Sequence, residues 1–197
     1  MIDIPSYVTH YHPAEDRPFQ NLSDLSDDEA TQVIRRLVRR GRADPRHKRV
    51  YGPIYMAYRR RVEAKLRGLY VDSGGRPERL APHYFVLGSS KWFEGVYPDA
   101  RSVTIPLDQL PMEQMSFTYP DSAVSMRIGA EFGLPEAPAR PYHEKVFRLE
   151  QLPEIVSRYG LPRDGVDQDY QNYHLADFEK YIEVQLWCDE PVQHLLG

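Results

Sequence analysis

Two histidines near the N-terminus are the first side chains in the sequence whose spacing is suited to chemistry. His10 and His12 are two positions apart, so a β-strand there would place both imidazoles on one face. A carboxylate at Glu15 or Asp16 would then be close enough in sequence to complete a metal site. Histidines beside tyrosines and prolines are more often packing residues that form hydrogen bonds. We therefore predict that His10 and His12 bind no metal.

A dense run of basic residues between Arg35 and Arg67 is suited to binding anions. This window contains thirteen of the 25 lysines and arginines and two acidic residues, so its formal charge is +11 while the rest of the chain carries −15. Such a cationic surface attracts phosphate groups, as in nucleic acid or another polyanion, or an acidic protein surface. The candidate anion-binding residues are Arg35, Arg36, Arg39, Arg40, Arg46, Lys48, Arg49, Arg59 and Arg60.

An amphipathic helix is expected to position the first of these arginines. Ser26 followed by Glu29 has the spacing of a capping box, and apolar residues then recur at helical intervals as far as Gly41, which predicts the helix end. The helical period separates two sets of side chains by about half a turn. It predicts an exposed ridge of Arg35, Arg36, Arg39 and Arg40 and burial of Val33, Ile34 and Leu37.

A second helix is predicted to begin near Pro53, because proline suits the first position of a helix. Its apolar positions would face the core, whereas its arginines would point outward. The core-facing set is Ile54, Tyr55, Tyr58, Val62, Leu66 and Leu69, and the outward set is Arg59, Arg60 and Arg67.

The rest of the chain predicts strands separated by turns. The predicted strands are Ser6–His12, His83–Leu87, Arg101–Ile105, Gln114–Tyr119, Lys145–Leu149 and Lys180–Trp187, with a short helix at Gln151–Tyr159 and an acidic, tyrosine-rich loop at Asp164–Asp177. Helices early and strands later indicate an α+β fold with a mixed or mainly antiparallel sheet, N-terminal basic helices and many loops. The length suits a single domain over residues 1–197.

Composition excludes several classes of protein. No apolar run approaches the roughly 20 residues that a membrane span requires. Cys188 is the single cysteine, which excludes an intramolecular disulfide and fits a reducing compartment, so we expect a cytoplasmic protein with no membrane partner. The sequence has no G-x-S-x-G elbow, no H-E-x-x-H and no CxxC pair. The oligomeric state is not indicated.

Several segments resemble a bacterial protein family of unknown function. The resemblance runs from Tyr7 to the C-terminus and implies no activity. It rests on the segments YVTHYHP (7–13), NLSDL (21–25), HYFVLG (83–88), SFTYPDS (116–122) and YIEVQLW (181–187).

Three of these segments are also similar to ADP-ribosyltransferases of the DarT kind, which act on nucleic-acid bases. YVTH resembles their opening strand, where a His or Arg holds the ribose and phosphate of NAD. SFTYPDS takes the place of their central aromatic strand, and YIEVQLWCDEPV resembles the late strand that carries the catalytic Glu. The resemblance implies an NAD-using enzyme with site residues His10, Tyr119 and catalytic Glu183. The sequence has Pro120 and Asp121 where those enzymes carry an arginine, and Gln185 follows Glu183 by two positions.

Three functions therefore remain open. The first interpretation is a protein that binds a phosphate-bearing or acidic partner through the basic helices, without catalysis. The second is the ADP-ribosyltransferase-like enzyme, in which a carboxylate at Glu183 would stabilise the oxocarbenium-like transition state and orient or deprotonate the acceptor. The third is a protein–protein interaction module. A glutamate between Ile182 and Val184 is equally typical of the solvent-facing side of an alternating strand.

Overall fold

A computed structural model describes residues 3–163, Tyr170 and residues 179–196. Its sheet has six strands in the order β3-β1-β2-β6-β4-β5, and each pair of neighbours is antiparallel. This architecture confirms the predicted α+β class. The strands are β1 (Tyr7–Pro13), β2 (His83–Leu87), β3 (Ala100–Pro106), β4 (Met115–Thr118), β5 (Phe147–Arg148) and β6 (Glu183–Leu186). The α-helices of the described residues are α1 (Asp27–Ala43), α2 (Tyr55–Asp72), α3 (Lys91–Glu94), α4 (Ser122–Ser125) and α5 (Leu152–Tyr159).

Strand alternation divides the core between the two faces of the sheet. On β6, Val184 and Leu186 point to one face, where they join Phe85, Phe117 and residues of α5 in an apolar cluster. Glu183 and Gln185 point to the other face, toward α2. There Leu66, Tyr70 and Trp187 form a second cluster, in which the Tyr70 and Trp187 rings stack with centroids 5.4 Å apart.

Helix α1 begins as predicted but packs less deeply than predicted. The capping box of Ser26 and Glu29 is present, and the helix passes Gly41 to end at Ala43, since a helical glycine costs only about 1 kcal/mol. Ala30 is its one buried side chain. The predicted burial of Val33, Ile34 and Leu37 was wrong: all three are half-buried, and Val33 and Leu37 border a cavity.

The predicted arginine ridge on α1 is present in part. Arg35, Arg36 and Arg39 are exposed. Arg40 is not, because its guanidinium forms ion pairs with Glu15 at 3.0 Å and Asp16 at 2.9 Å.

Helix α2 begins at Tyr55, two residues after Pro53. Val62 and Leu66 are buried as predicted, but Ile54 precedes the helix and is exposed. The outward orientation predicted for Arg59 was wrong. Glu63 is buried at 3 % exposure, and a buried carboxylate requires a cationic partner, which Arg59 supplies at 2.9 Å.

Several boundaries differ from the prediction. Strand β5 has two residues where five were predicted, and the two four-residue helices were not predicted. The side chains of Ser90 and Asp121 cap those helices. With about one turn each, the helices are too short to give a periodic pattern in the sequence. Apart from Tyr170, the predicted loop at Asp164–Asp177 lies outside the described residues. Among the described helices, none is long and apolar enough to cross a membrane.

Two glycines give a matched test of packing beside α2. A Cβ at Gly75 would lie 2.4 Å from the Tyr70 ring, which the stack on Trp187 holds in place, whereas a Cβ at Gly68 would meet nothing within 4 Å. We expect Gly75→Ala to destabilise the protein by about 1–3 kcal/mol. Gly68→Ala should stabilise it by about 0.5–1 kcal/mol, because alanine favours a helix interior. Denaturant unfolding measures both, and equal effects would contradict this packing.

Candidate functional site

A cavity of about 1010 Å³ lies beside the point where β1 and β2 separate. β1 pairs with β3 along its whole length, but with β2 only at Val8↔Leu87 and Thr9↔Val86. Beyond Thr9, the His10 side chain spans the gap, because its Nδ1 donates to the Tyr84 carbonyl at 2.9 Å. The two strands therefore open into a crevice, which α1, α2, α3 and the segment 48–51 enclose.

Glu183 lies on the floor of this cavity, on the sheet face that points to α2. Its Oε1 accepts hydrogen bonds from the Ser122 backbone N–H and from Gln185 Nε2, each at 3.1 Å. The side chain is half-buried and borders the cavity. The carboxylate is therefore fixed in orientation while it remains accessible to a ligand.

A buried polar network fixes the orientation of the Gln185 amide. The Trp187 indole N–H can only donate, and it does so to Ser116 Oγ at 2.8 Å. The Ser116 hydroxyl must then donate to Gln185 Oε1, also at 2.8 Å. This leaves the Gln185 NH₂ group to face Glu183 and Thr118. The position of Glu183 is thus set by a chain of hydrogen bonds that starts in the core.

Asp121 is a second carboxylate that borders the cavity. It is 2 % exposed, and its Oδ1 caps α4 by accepting from the Val124 N–H at 2.9 Å. Burial raises the pKa of Asp121. Burial, followed by the charge of Asp121, also raises the pKa of Glu183 to about 7. Glu183 can therefore gain and lose a proton near neutral pH, as a general acid or base requires.

Arg49 lies in the cavity wall among tyrosines. Its guanidinium donates to the hydroxyls of Tyr55 at 3.2 Å and Tyr97 at 3.5 Å, and it lies over the Tyr51 ring at 5.9 Å. Among the described residues, no carboxylate forms an ion pair with Arg49. Its charge is therefore available to an anionic ligand.

Tyr55 accepts hydrogen bonds from two guanidinium groups, those of Arg49 and Arg59, each at 3.2 Å. Burial alone would raise the pKa of Tyr55, but the two positive charges outweigh it and lower the pKa. Because the oxygen accepts both bonds, the hydroxyl hydrogen remains to donate to a ligand. Tyr55 also borders the cavity.

His10 does not have the role that the resemblance implied. Its Nδ1 donates to the Tyr84 carbonyl, and its Nε2 accepts from the Phe19 backbone N–H at 3.0 Å, so both ring nitrogens are occupied. Burial lowers its pKa to about 4, which keeps the ring neutral. By strand alternation His10 also lies on the opposite sheet face from Glu183, where it stacks on Phe19. His10 borders the cavity, but its ring nitrogens are both bonded to backbone groups, so neither is available to a ribose or a phosphate in this structure.

Tyr119 does not border the cavity. Its hydroxyl donates to the carbonyls of Tyr159 and Gly160 at 3.3 and 3.2 Å, and its ring packs against Tyr142. Burial raises the pKa of Tyr119 to about 12. Of the three predicted site residues, Glu183 therefore borders the cavity with an accessible carboxylate. His10 uses its ring nitrogens for hydrogen bonds to the backbone, and Tyr119 lies elsewhere in the core.

The predicted anion-binding residues divide into paired and unpaired groups. Arg40, Arg46, Arg59 and Arg60 each form an ion pair, with Arg46 bound to Asp44 at 2.7 Å and Arg60 bound to Asp27. The Lys48 ammonium donates to the Pro45 carbonyl at 2.9 Å. Within the described part of the chain, no carboxylate pairs with Arg35, Arg36, Arg39 or Arg49.

No metal centre is visible in the described ranges, which contain no group of three or more His, Cys, Asp or Glu side chains suited to a cation. The nitrogens of His10 are both used, as described above. His12 Nδ1 bonds to the carbonyls of Pro13 and Asp16 at 2.9 Å.

Sequence reasoning missed Asp121 and Tyr55 as site residues. The pattern Pro120-Asp121-Ser122 is typical of a helix N-cap, which could have located the short helix beside Glu183. No sequence signal placed Tyr55 between two arginines, because Arg49 and Arg59 belong to different elements.

Comparison with known proteins finds no relative: no family model matches the chain, and searches of curated proteins and of solved structures return no match.

The raised pKa of Glu183 predicts a pH-dependent stability. Because its pKa rises from 4.5 to about 7 on folding, the native state binds the proton more tightly. The resulting stabilisation is complete below pH 4.5 and is lost as the pH rises through 7. Between pH 5 and pH 8, the wild type should lose roughly 1–3 kcal/mol relative to Glu183→Gln. Urea unfolding at both pH values measures this difference.

Glu154→Gln is the matched control for that experiment. Glu154 is exposed on α5, so its replacement should leave the pH dependence of stability unchanged. If Glu183→Gln showed the same pH dependence as the wild type, Glu183 would not titrate in this range.

Proposed function

We propose that this protein is an ADP-ribosyltransferase-like enzyme that uses NAD. The observation that carries the proposal is Glu183 itself: its carboxylate is held by two N–H donors at the floor of a large cavity and has a pKa of about 7. The sequence resemblance supplies the reaction class. Strand β6 is also the element on which that resemblance placed the catalytic residue.

Arg49 and Tyr55 support the binding of a diphosphate in the cavity. An exposed guanidinium with no carboxylate partner among the described residues and a polarised hydroxyl are both suited to phosphate oxygens. Exposed Arg36, on α1, borders the same cavity. The basic window between Arg35 and Arg67 therefore contributes Arg36 and Arg49 to the proposed site, which is fewer than the nine anion-binding residues predicted from the sequence.

Glu183 is suited to the transfer step. The bond between the nicotinamide nitrogen and ribose C1′ breaks, nicotinamide leaves as the neutral base, and C1′ forms a bond to a nucleophile of the acceptor. An ionised Glu183 stabilises the positive charge that develops on the ribose. It can then take the proton that the acceptor loses, because its pKa lies near neutrality.

Substitution of Glu183 tests this function. Glu183→Gln keeps an oxygen that can accept from Ser122 and Gln185, so the fold and the NAD-dependent rise in melting temperature should remain. Transfer of label from NAD to nucleic acid or to cell extract should fall by about 100-fold or more. Glu154→Gln, on the surface of α5, should label acceptors like the wild type. Absence of labelling by the wild type across a broad acceptor panel would refute the proposal.

A second candidate function is the binding of a polyanion by α1. Arg35 and Arg36, with Arg39 one turn later, are exposed and lack carboxylate partners among the described residues. Side chains at these spacings lie on adjoining parts of the helix surface, so they can contact neighbouring phosphates. The same surface would suit a nucleic-acid acceptor or an acidic protein.

The salt dependence of DNA binding tests the α1 surface. Joint replacement of Arg35 and Arg39 by alanine should reduce the slope of log K against log salt by about 0.9 for each phosphate contact removed. Arg46→Ala is the matched control, because Asp44 already neutralises that guanidinium, and it should change the slope much less. Equal slopes for the double variant and the wild type would exclude this surface.

A further inference from the structure

Several charged residues that border the cavity already form ion pairs, among them Asp16, Asp24, Arg59 and Arg79. Those that form none among the described residues make up two sets: a basic wall of Arg17, Arg36, Lys48 and Arg49, and an acidic floor of Asp121 and Glu183. In the part of the chain that the structure describes, no ion pair joins the wall to the floor, and no Arg or Lys forms a hydrogen bond with either floor carboxylate. The negative charge of the floor is therefore not neutralised by an Arg or Lys side chain of the described residues.

One short turn of backbone holds the two floor carboxylates beside each other. Asp121 caps α4, and the next residue, Ser122, donates its N–H to Glu183 Oε1 at 3.1 Å. Asp121 Oδ2 is buried and has no hydrogen-bond partner of ordinary geometry among the described residues. Burial raises the Asp121 pKa, and the Tyr181 hydroxyl opposes this only in part. An unsatisfied buried carboxylate oxygen is costly, and a cation bound in the cavity would remove that cost.

Aromatic rings line the cavity together with the acidic floor. Tyr181 lies two residues before Glu183, and its ring packs against Phe93 and Trp92 with centroids 4.8 and 5.7 Å away. All three rings border the cavity. Ring faces together with carboxylates recognise a flat, delocalised cation better than a compact, strongly hydrated one.

We propose that Asp121, together with Glu183, selects a ligand ring that carries a positive charge over the same ring without it. The proposal rests on the proposed function, in which that ring is the nicotinamide of NAD. The oxidised dinucleotide has a cationic ring and the reduced one a neutral ring, while their phosphates and riboses are the same. The basic wall would bind both forms alike, so discrimination falls to the acidic floor.

Binding of the two dinucleotides to Asp121→Asn tests this inference. Asparagine caps a helix as well as aspartate, so α4 should persist, and the unfolding midpoint verifies this. The wild type should bind NAD about tenfold or more tightly than NADH. Asp121→Asn should lower that ratio by weakening NAD and not NADH, and Asp121→Asn combined with Glu183→Gln, which removes both floor carboxylates, should bring it close to one. Asp108→Asn, which removes an exposed charge outside the cavity, should leave the ratio unchanged.

Two small probes separate this inference from the proposed function. 1-Methylnicotinamide is cationic and nicotinamide is neutral, and neither has a phosphate. If both dinucleotides bind with a ratio that Asp121→Asn does not change, the inference is wrong and the proposed function stands. If neither dinucleotide binds, the proposed function is wrong, and binding of the two probes then decides whether the acidic floor selects a cationic ring. A preference for 1-methylnicotinamide that Asp121→Asn reduces and the double variant abolishes would support the acidic floor, whereas equal or absent binding of the probes would overturn it.

Discussion

The buried carboxylate of Glu63 is the constraint on which the architecture around the cavity depends. A charge at that depth is tolerated only with a partner, and Arg59 lies one helical turn before it. The same guanidinium also donates to Asn21 and Ser23 and lies 5.3 Å from the Tyr84 ring centroid. One ion pair on α2 thus connects the helix to the N-terminal segment and to the central strand β2. The cavity wall is rigid there because its charged members cannot separate without exposing an unpaired charge to the core.

The same wall gives the site its electrostatic character. Arg59 is used by Glu63, so its effect on a ligand is indirect and passes through Tyr55, whose hydroxyl it polarises. Arg49 has tyrosines for neighbours and no carboxylate partner among the described residues, and it borders the cavity directly. On the floor, Glu183 depends for its orientation on Gln185, the next residue on its face of β6. The Gln that follows Glu183 by two positions is therefore its structural support, and the alternation of the strand is what brings the two together.

The sequence predicted local structure well where one signal was sufficient. The capping box of α1, the apolar run of β2 and the alternation of β3 each locate an element without reference to the rest of the chain. It failed where a residue's environment depends on distant partners. Periodicity placed Arg59 outward, because it cannot show that Glu63 would be buried beside it. The same limit applies to His10, whose two partners lie 9 and 74 residues away in sequence. It applies also to Tyr119, which the resemblance placed in one site with Glu183, whereas its hydroxyl donates to the carbonyl of Tyr159 at the end of α5.

Helix α1 has one buried side chain along its 17 residues, and ion pairs join it to the rest of the protein near its two ends, Asp27 with Arg60 and Arg40 with Asp16. Ion pairs that contact solvent are individually weak. Opening of α1 should therefore require much less free energy than unfolding of the sheet. The amide hydrogens of α1 should exchange through local opening, whereas those of β2 and β6 should exchange only on global unfolding. Since α1 covers part of the cavity, the rate of ligand entry would follow this local opening, and salt, which screens the two ion pairs, would speed it.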